Sequence, residues 1–450
     1  MENALNKKVT FKSLLKYTFP SVIMMVFFSL YTIVDGIFIS RFIGSDALSS
    51  ANIVYPVISI LIGIGIMFAT GGSAIVAKYM GENKNKEARE SFSLITLTAL
   101  IVGCIIAIIS ILFIKDIIYM LGSTENLYKH CYSYLFTMLI FTPCIILKMF
   151  FDYFLITAGA ANLGLISSTA GGVVNIILDY IFIVKLNMGI EGAALGTCIG
   201  YALPSLIGIL YFCKKSNMLH FVKPKVNLRI IKDSCINGSS EMVTQLSSAV
   251  TTFLYNITML KFLGEDGVAA ITIILYVSFL LNAAYLGFTS GVSPRISYNY
   301  GSQDEAQLEK LIKYSYLTVI IFGVITFIIS RFSSEFLVTT FAAKGTTLFD
   351  ITLRGFIIFS FSFIVSGINI FTSGMFTAFS DGKTSALLSL LRTLILFVIG
   401  IVTLPYILGV DGVWLVVPFV EFTTLIFSFG FLYKYRNKYM YANLFNRCTN

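Results

Sequence analysis

Five acidic side chains fall inside long apolar segments of this 450-residue chain, where a charge costs at least about 2.5–3.5 kcal/mol if the segments cross a bilayer. They are Asp35, Asp152, Asp179, Glu241 and Glu421. Asp179 follows Asn175 by one helical turn, so the two side chains share a helix face. Carboxylate and amide oxygens that converge from two helices suit a proton or a sodium ion. We therefore expect Asp35 and Asp179 to form a cation site, with a hydrogen bond to a neighbouring helix as the structural alternative.

The other deep charges each allow two interpretations. Asp152 lies four residues after Lys148, a spacing at which a structural ion pair competes with a role in binding. In the second part of the chain, Glu241 is the acid most comparable to Asp35 and Asp179 as a candidate for function. It either takes part in binding or lines a cavity in a structural role. Arg392 is expected to pair with Glu241 or another acid, or to approach the lipid headgroups. The sequence assigns no role to Glu421.

The composition makes a bilayer the solvent for most side chains. Charged residues make up 12% of the chain, about half of the ~25% that is usual in soluble domains. Hydrophobic residues reach 57%, and the mean hydropathy is +0.86. The two His and seven Cys residues form no CxxC or Cys/His grouping. We therefore expect no metal site, no haem and no disulfide framework.

Twelve apolar runs have about the 20 residues that a helix needs to cross the hydrocarbon core. The sequence thus predicts an all-α integral membrane protein. The predicted spans are 13–40, 48–78, 91–114, 130–158, 163–185, 190–213, 234–260, 268–298, 311–330, 352–378, 384–408 and 412–433.

Basic residues are distributed unevenly between the loops on the two sides of the predicted spans. One side, which includes both termini, carries 22 Lys or Arg residues, and the other carries eight. Short loops rich in these residues stay in the cytoplasm, so both termini should be cytoplasmic. The net charge of +9 therefore reflects topology and attraction to anionic lipids. It gives no support to nucleic-acid binding.

The chain contains an internal repeat with a constant offset of 220 residues. The segment from Phe42 aligns with the segment from Phe262, and MGIEGAAL at 188–195 aligns with LGVDGVWL at 408–415. Each copy holds six spans, an even number, so the copies enter from the same side and a pseudo-twofold axis runs along the membrane normal. We expect two six-helix lobes, 1–213 and 234–450, joined by a cytoplasmic linker at 214–233.

Three segments of the chain are distinctive, and they read LYTIVDGIFISRFIGSDALSSANIVYPV, GGVVNIILDYIFIVKLNMGIEGAALGT and GVSPRISYNYGSQD. In these segments the chain resembles the multidrug and toxic compound extrusion (MATE) transporters, and in particular their MepA-like branch. The resemblance covers nearly the whole chain. It implies two six-helix bundles around a V-shaped cavity. It also implies a multi-pass protein of a bacterial-type cell membrane that exports organic cations and drugs in exchange for protons or sodium ions.

The resemblance also implies roles for individual residues. Asp35, Asn175, Asp179 and Thr197 correspond to the cation-coupling site. Tyr134 and Asp152 lie nearby and, with Glu241, are expected to line the substrate cavity. Burial and a second carboxylate both disfavour the ionised form of a carboxyl group, so protons are favoured over sodium as the coupling ion. No other cofactor is expected.

Three other classes of protein fit the sequence less well. A lipid-linked oligosaccharide flippase shares the two-lobe plan but needs several cationic groups for pyrophosphate, and only Lys148 and Arg392 lie at depth. An enzyme would need an acid–base or nucleophilic set, and no His or Cys lies among these carboxylates. The duplicated plan disfavours a channel, because it suits rocking between two states. We expect the chain to act as a monomer.

Overall fold

The computed structural model describes residues 4–339 and 342–446, and over these residues it contains helices and turns but no strand. Ten described helices are long and apolar enough to cross a membrane, and one bent helix pair adds an eleventh crossing. The longest helix, Leu228–Gly301, has non-helical backbone angles at Gly264 and therefore counts as two. The expected all-α membrane protein is confirmed. Arg447, part of the predicted basic tail, lies outside the described residues.

The crossing helices of the first half are numbered in chain order. They are α1 (Phe11–Ile43), α2 (Ser45–Gly81), α3 (Asn85–Leu112), α4 (Glu125–Ile140 and Thr142–Thr157), α5 (Ala161–Lys185) and α6 (Gly189–Phe212). The two segments of α4 meet at an angle of 57°. Pro143 lies in the first turn of the second segment, and because its ring clashes with the preceding turn, the helix bends there.

The second half repeats this arrangement after a linker. Its helices are α7 (228–263), α8 (265–301), α9 (Glu305–Phe332), α10 (Thr347–Ala378), α11 (Gly382–Leu408) and α12 (Val410–Tyr435). Short helices Ile114–Met120 and Ser334–Thr339 follow α3 and α9 at equivalent places. The chain termini and the linker lie at one end of the helices, which we call the terminal face.

The 220-residue offset is visible in the backbone. Gly44 ends α1 with a φ of 121°, and Gly264, which lies 220 residues later, ends α7 with a φ of 65°. Only glycine enters this region without strain, so both hairpins depend on it. Asn83 and Gln303 share the same offset and have φ values of 60° and 59°. The internal repeat therefore describes the backbone as well as the sequence.

The halves contact each other at the terminal face through helix backbones. A Cβ atom at Gly81 would overlap the carbonyl oxygen of Tyr298, and a Cβ atom at Gly301 would overlap that of Lys78. Both pairs of equivalent residues, 81 with 301 and 78 with 298, are 220 apart. A twofold axis produces reciprocal contacts of this kind, since each partner presents the same patch.

The hydrophobic clusters show where the halves separate. Two clusters toward the terminal face mix the halves; one joins Leu14 to Ile296, and another joins Phe68 to Tyr298. Toward the opposite face, the cluster around Val54 contains described residues of the first half alone, and the cluster around Trp414 contains those of the second half alone. The halves thus meet at the terminal face and diverge from it, as in the expected V shape.

One basic residue differs from its sequence interpretation. Arg295 is among the 22 Lys and Arg residues that the sequence assigns to loops and termini on one side of the spans. In the structure it lies in α8 and is only 1% exposed. Its Nη2 atom donates to the carbonyl oxygen of Lys7, and its guanidinium stacks over the ring of Tyr17, 5.2 Å from the centroid. Nearby, the backbone N–H of Val9 donates to Gln307. These hydrogen bonds therefore attach the segment before α1 to the second half of the chain.

We expect Gly81→Ala and Gly301→Ala each to destabilise the protein by about 1–3 kcal/mol, because each methyl group enters the backbone of the opposite half. Gly430→Ala on α12 is the matched control, since nothing lies within 4 Å of its Cβ position. That control should leave the thermal midpoint unchanged or raise it. Thermal unfolding of the purified variants measures the difference. An equal effect at all three positions would contradict the proposed close approach.

Candidate functional site

Three of the four predicted cation-site residues meet between α5 and α6. Asp179 and Asn175 are 0% and 1% exposed. The Asn175 side-chain amide donates to both carboxylate oxygens of Asp179, at 3.4 and 3.3 Å, and to the Thr197 hydroxyl at 3.4 Å. The expected shared face of Asn175 and Asp179 is therefore present, and it points toward α6.

Asp35 completes the group from α1. Its side chain lies within hydrogen-bonding reach of Asp179. Its Oδ1 atom is buried without a partner, and so is Oδ1 of Asn175. Ionised carboxylates accept hydrogen bonds but cannot donate them. The two acids can therefore share a hydrogen bond only if one carries a proton, or they can share a cation that lies between them.

The oxygens of these residues are hard donors of the type that a small cation prefers. Among the described residues, no group of three or more His, Cys, Asp and Glu side chains could hold a metal ion. A sodium ion would therefore need Asn175 Oδ1 and the Thr197 hydroxyl in addition to the two carboxylates. The donor set fits a proton or sodium, and it lacks the nitrogen and sulfur ligands of transition-metal sites.

Helix α6 can approach Asp179 closely because it has no side chain at the point of contact. A Cβ atom at Gly196 would overlap Asp179 Oδ1, and one at Gly200 would lie 2.9 Å from the Cβ of Asn175. These two glycines are not among the predicted site residues. The sequence does contain a pattern that indicates them, because Gly192, Gly196 and Gly200 recur every fourth residue, a spacing typical of closely packed membrane helices.

Three tyrosines surround the acid pair. Tyr134 is 6% exposed and lies close enough to Asp35 and Asp179 to interact with their charges. Tyr31 and Tyr201 lie close to each other and within electrostatic range of Asp35. The structure thus places Tyr134 beside the cation site, and its contact with cargo stays a prediction.

Asp152 forms the ion pair that its spacing allowed. Its Oδ2 atom lies 2.8 Å from Lys148 Nζ, and the side chains are 5% and 3% exposed. Ser168 donates to the same carboxylate at 3.4 and 3.5 Å. The ammonium group lies 4.4 Å from the centroid of the Phe28 ring. Binding of cargo by Asp152 stays a prediction.

Glu241 lines a cavity where the halves meet. The cavity holds about 30 Å³, room for roughly two water molecules. Helices α2, α4, α7, α8 and α10 contribute to its wall. Its polar lining includes Thr70, Ser73, Tyr153, Glu241, Ser293 and Thr377.

Arg392 pairs with Glu421, an acid to which the sequence assigned no role. Its Nε and Nη2 atoms donate to Glu421 Oε1 at 2.9 and 2.7 Å. Asn369 donates to Oε2 at 2.7 Å, and Ser428 donates to Asn369 at 3.0 Å. Both carboxylate oxygens are therefore satisfied. This network joins α10, α11 and α12, and its contacts are those of a structural element.

A protein-family model, MatE, matches residues 20–181 and 242–402, one segment in each half. The chain belongs to the MATE family. The matched segments include Asp35 and Asp179 in the first half and Arg392 in the second. Thr197 and Glu421 lie outside them.

The MATE chain is similar along most of its length to curated proteins named multidrug export protein MepA. The protein of Staphylococcus saprophyticus is 24% identical over 418 residues, which cover 91% of this chain and 89% of that protein. The protein of Staphylococcus aureus strain MRSA252 is 24% identical over 416 residues, which cover 89% and 87%. These values support the expected MepA-like resemblance.

Solved MATE structures share the fold. A MATE protein in complex with MaL6 and a MATE family transporter in an outward-facing conformation each superpose with a TM-score of 0.90 at 21% identity. Both matches cover 96% of this chain and 97% of the other. Since the identity is low, the likeness concerns the fold, which confirms the MATE-like architecture predicted from the sequence.

Glu421→Leu should cost about 3–5 kcal/mol of stability, because it leaves the Arg392 guanidinium buried without its carboxylate. The double variant Arg392→Leu/Glu421→Leu should recover much of this loss, since no unpaired charge remains. Thermal unfolding of the purified variants measures both. A double variant no more stable than Glu421→Leu would show that the pair does not act as a unit.

Proposed function

We propose that this MATE protein is a secondary active antiporter that exports organic, mostly cationic amphipathic compounds in exchange for protons or sodium ions. The observation that carries the proposal is the pair of Asp35 and Asp179. Two carboxyl groups lie within hydrogen-bonding reach, and one of their oxygens, Asp35 Oδ1, is buried without a donor. Such a pair is one positive charge short of being satisfied, and a proton or small cation supplies that charge.

The pair differs from the other deep acids of the described residues. Lys148 neutralises Asp152, and Arg392 neutralises Glu421. Glu241 also lacks an ion pair, but it is a single acid on the cavity wall, whereas Asp35 and Asp179 bring two carboxyl groups together without a fixed cation. A deep acid without a fixed partner is costly, and such acids commonly mark an ion or proton path. Asp35, Asn175, Asp179 and Thr197 are therefore the proposed cation-coupling residues.

Protons are the favoured coupling ion in this proposal. One proton between Asp35 and Asp179 converts two repelling acceptors into a hydrogen-bonded pair without further ligands. Sodium, the alternative, would need the additional oxygens of Asn175 and Thr197 at short distance. Both ions would favour the same compact arrangement of α1 against α5.

Cationic cargo is supported by the charge and the aromatic content of the interior. The chain contains 41 Phe, 24 Tyr and 14 Met residues, and aromatic faces attract organic cations without demanding one shape. Tyr134, Asp152 and Glu241 are the proposed cavity residues, and the relatives are named as multidrug exporters. Neither deep cation of the described residues is free to bind a pyrophosphate, which argues against a flippase.

Alternating access is supported by the arrangement of the halves. They meet at the terminal face and diverge from it, so the space between them opens toward the opposite face. If the coupling ion and the cargo favour different arrangements, binding of one promotes release of the other. One chain contains both halves and all proposed site residues, so a monomer is the proposed transporting unit.

Orientation follows from the basic residues, most of which lie toward the terminal face. We propose that this face is cytoplasmic and that the protein lies in a bacterial-type cell membrane. The V then opens to the outside, where cargo is released.

Asp35→Asn and Asp179→Asn should each fold and bind cargo but lose gradient-driven efflux, because an amide resembles the protonated acid and cannot exchange a proton. Proteoliposome transport under separately imposed pH and sodium gradients measures the effect and identifies the ion. Ser167→Ala on α5 is the control, since its hydroxyl donates to the Gly164 carbonyl oxygen of the same helix and contacts none of the proposed site residues. Efflux at the unsubstituted rate in both Asn variants would overturn the coupling site, and Glu241 would be examined next.

Single cysteines at Lys86, Lys225 and Ser302, introduced into a chain without its own cysteines, should react only from the cytoplasmic side. Lys86 lies in the first turn of α3, Lys225 lies in the linker, and Ser302 follows α8 at the terminal face. An impermeant thiol reagent is applied to intact cells and then to inverted vesicles. Labelling of the three sites in intact cells would reverse the proposed orientation.

A further inference from the structure

Two ion pairs of the described residues lie largely out of water, and they are held very differently. The carboxylate of Glu421 accepts three hydrogen bonds of 2.9 Å or less, from Arg392 and Asn369. The carboxylate of Asp152 has one short contact, with the Lys148 ammonium at 2.8 Å. Its other contacts, from Ser168, are 3.4 and 3.5 Å long. The first pair is fixed by its network, whereas the second depends on a single flexible side chain.

The surroundings of the Lys148 ammonium are those that suit an organic cation. The group lies 4.4 Å from the centroid of the Phe28 ring and 5.8 Å from that of Tyr201. Asp152 supplies the one carboxylate. Aromatic faces and an acid are the usual elements of ammonium recognition. We call Phe28, Tyr201 and Asp152 the ammonium box.

The ammonium box adjoins the acid pair through α1. Phe28, Tyr31 and Asp35 are spaced by three and four residues, so they lie on one face of that helix. Tyr31 lies close to Tyr201 and within electrostatic range of both Asp35 and Asp152. A movement of α1 that accompanies cation binding at Asp35 would therefore also move one wall of the box.

We propose that the ammonium box is a binding site for the positively charged group of the cargo and that Lys148 occupies it as a tethered competitor. In the conformation described, with the halves apart at the face opposite the termini, Lys148 neutralises Asp152 and leaves no charge to hold a cation there. Lys148 would thus assist release of cargo. This inference rests on the proposed export of organic cations. It adds that the Lys148 ammonium group displaces the cation from the ammonium box.

Competition predicts the sign of a substitution. A ligand that must displace Lys148 binds with an apparent affinity reduced by the fraction of protein in which the box is already filled. Removal of the lysine should therefore tighten the binding of a cationic ligand. It should not affect a neutral ligand of the same shape, because that ligand gains nothing from Asp152.

The first test replaces the lysine by a free amine. Lys148→Ala removes the equivalent of propylammonium from the box. The variant is purified in the presence of propylammonium chloride. This amine should raise the thermal midpoint of the variant up to a saturating concentration, whereas propanol should leave the midpoint unchanged. Wild type and the double variant Lys148→Ala/Asp152→Asn, which lacks an unpaired charge, should not respond. An equal response to propanol, or no response to propylammonium, would overturn the proposal.

The second test measures ligand binding in nanodiscs. Lys148→Gln should bind monodansylcadaverine at least tenfold more tightly than wild type, with unchanged binding of its neutral N-acetyl derivative. Arg354→Gln is the matched control, since it removes one positive charge from the exposed pair with Asp411. A gain for both ligands, or for neither, would overturn the proposal.

Neither test uses an ion gradient, so the results separate this inference from the proposed function. If the Lys148→Ala variant binds propylammonium but the protein shows no antiport, the ammonium site is supported and the proposed antiport is wrong. If the protein shows antiport but the variant does not respond to propylammonium, the antiport is supported and the ammonium site is wrong.

Discussion

A charge cannot stand alone in hydrocarbon, and this constraint governs how the molecule places its ionisable groups. Lys148 is matched by Asp152, and Arg392 by Glu421. Even Arg295, near the end of α8, is covered by an aromatic ring and by the carbonyl oxygen of Lys7. Glu241, on the wall of the cavity between the halves, has no ion pair with a described residue. Asp35 and Asp179 face each other across α1 and α5, also without a fixed cation. In the proposed function, a mobile cation supplies the charge that this pair lacks.

The repeated backbone carries different chemistry in its two halves. The equivalents of Asp35 and Asp179, 220 residues later, are Tyr255 and Ile399. The equivalent of Glu421 in the first half is Tyr201, which faces the Lys148 ammonium instead of carrying a charge. Symmetry therefore fixes where the helices lie, and the side chains place the proposed coupling acids in the first half alone. This division needs substitutions at only a few buried positions, while the turn glycines Gly44 and Gly264 keep the shared backbone.

Much of this architecture was accessible from the sequence because lipid imposes simple rules. Hydrocarbon thickness sets the length of each span, and a repeat in constant register survives as paired turns at Gly44 and Gly264. The meeting of Asn175 with Asp179 followed from helical spacing. The partner of Arg392 did not, since it depends on how α11 is rotated against α12, which no local pattern encodes. The burial of Arg295 likewise depends on a segment nearly 290 residues away.

The seam between the halves at the terminal face combines two kinds of contact. Hydrophobic clusters join side chains of both halves, and Gly81 and Gly301 lie directly on carbonyl oxygens of the opposite half. Side chains can change rotamer to follow a small displacement, whereas a backbone contact without a Cβ atom has no such adjustment. The glycine contacts therefore define a single register for the seam, and halves that separated would return to the same alignment.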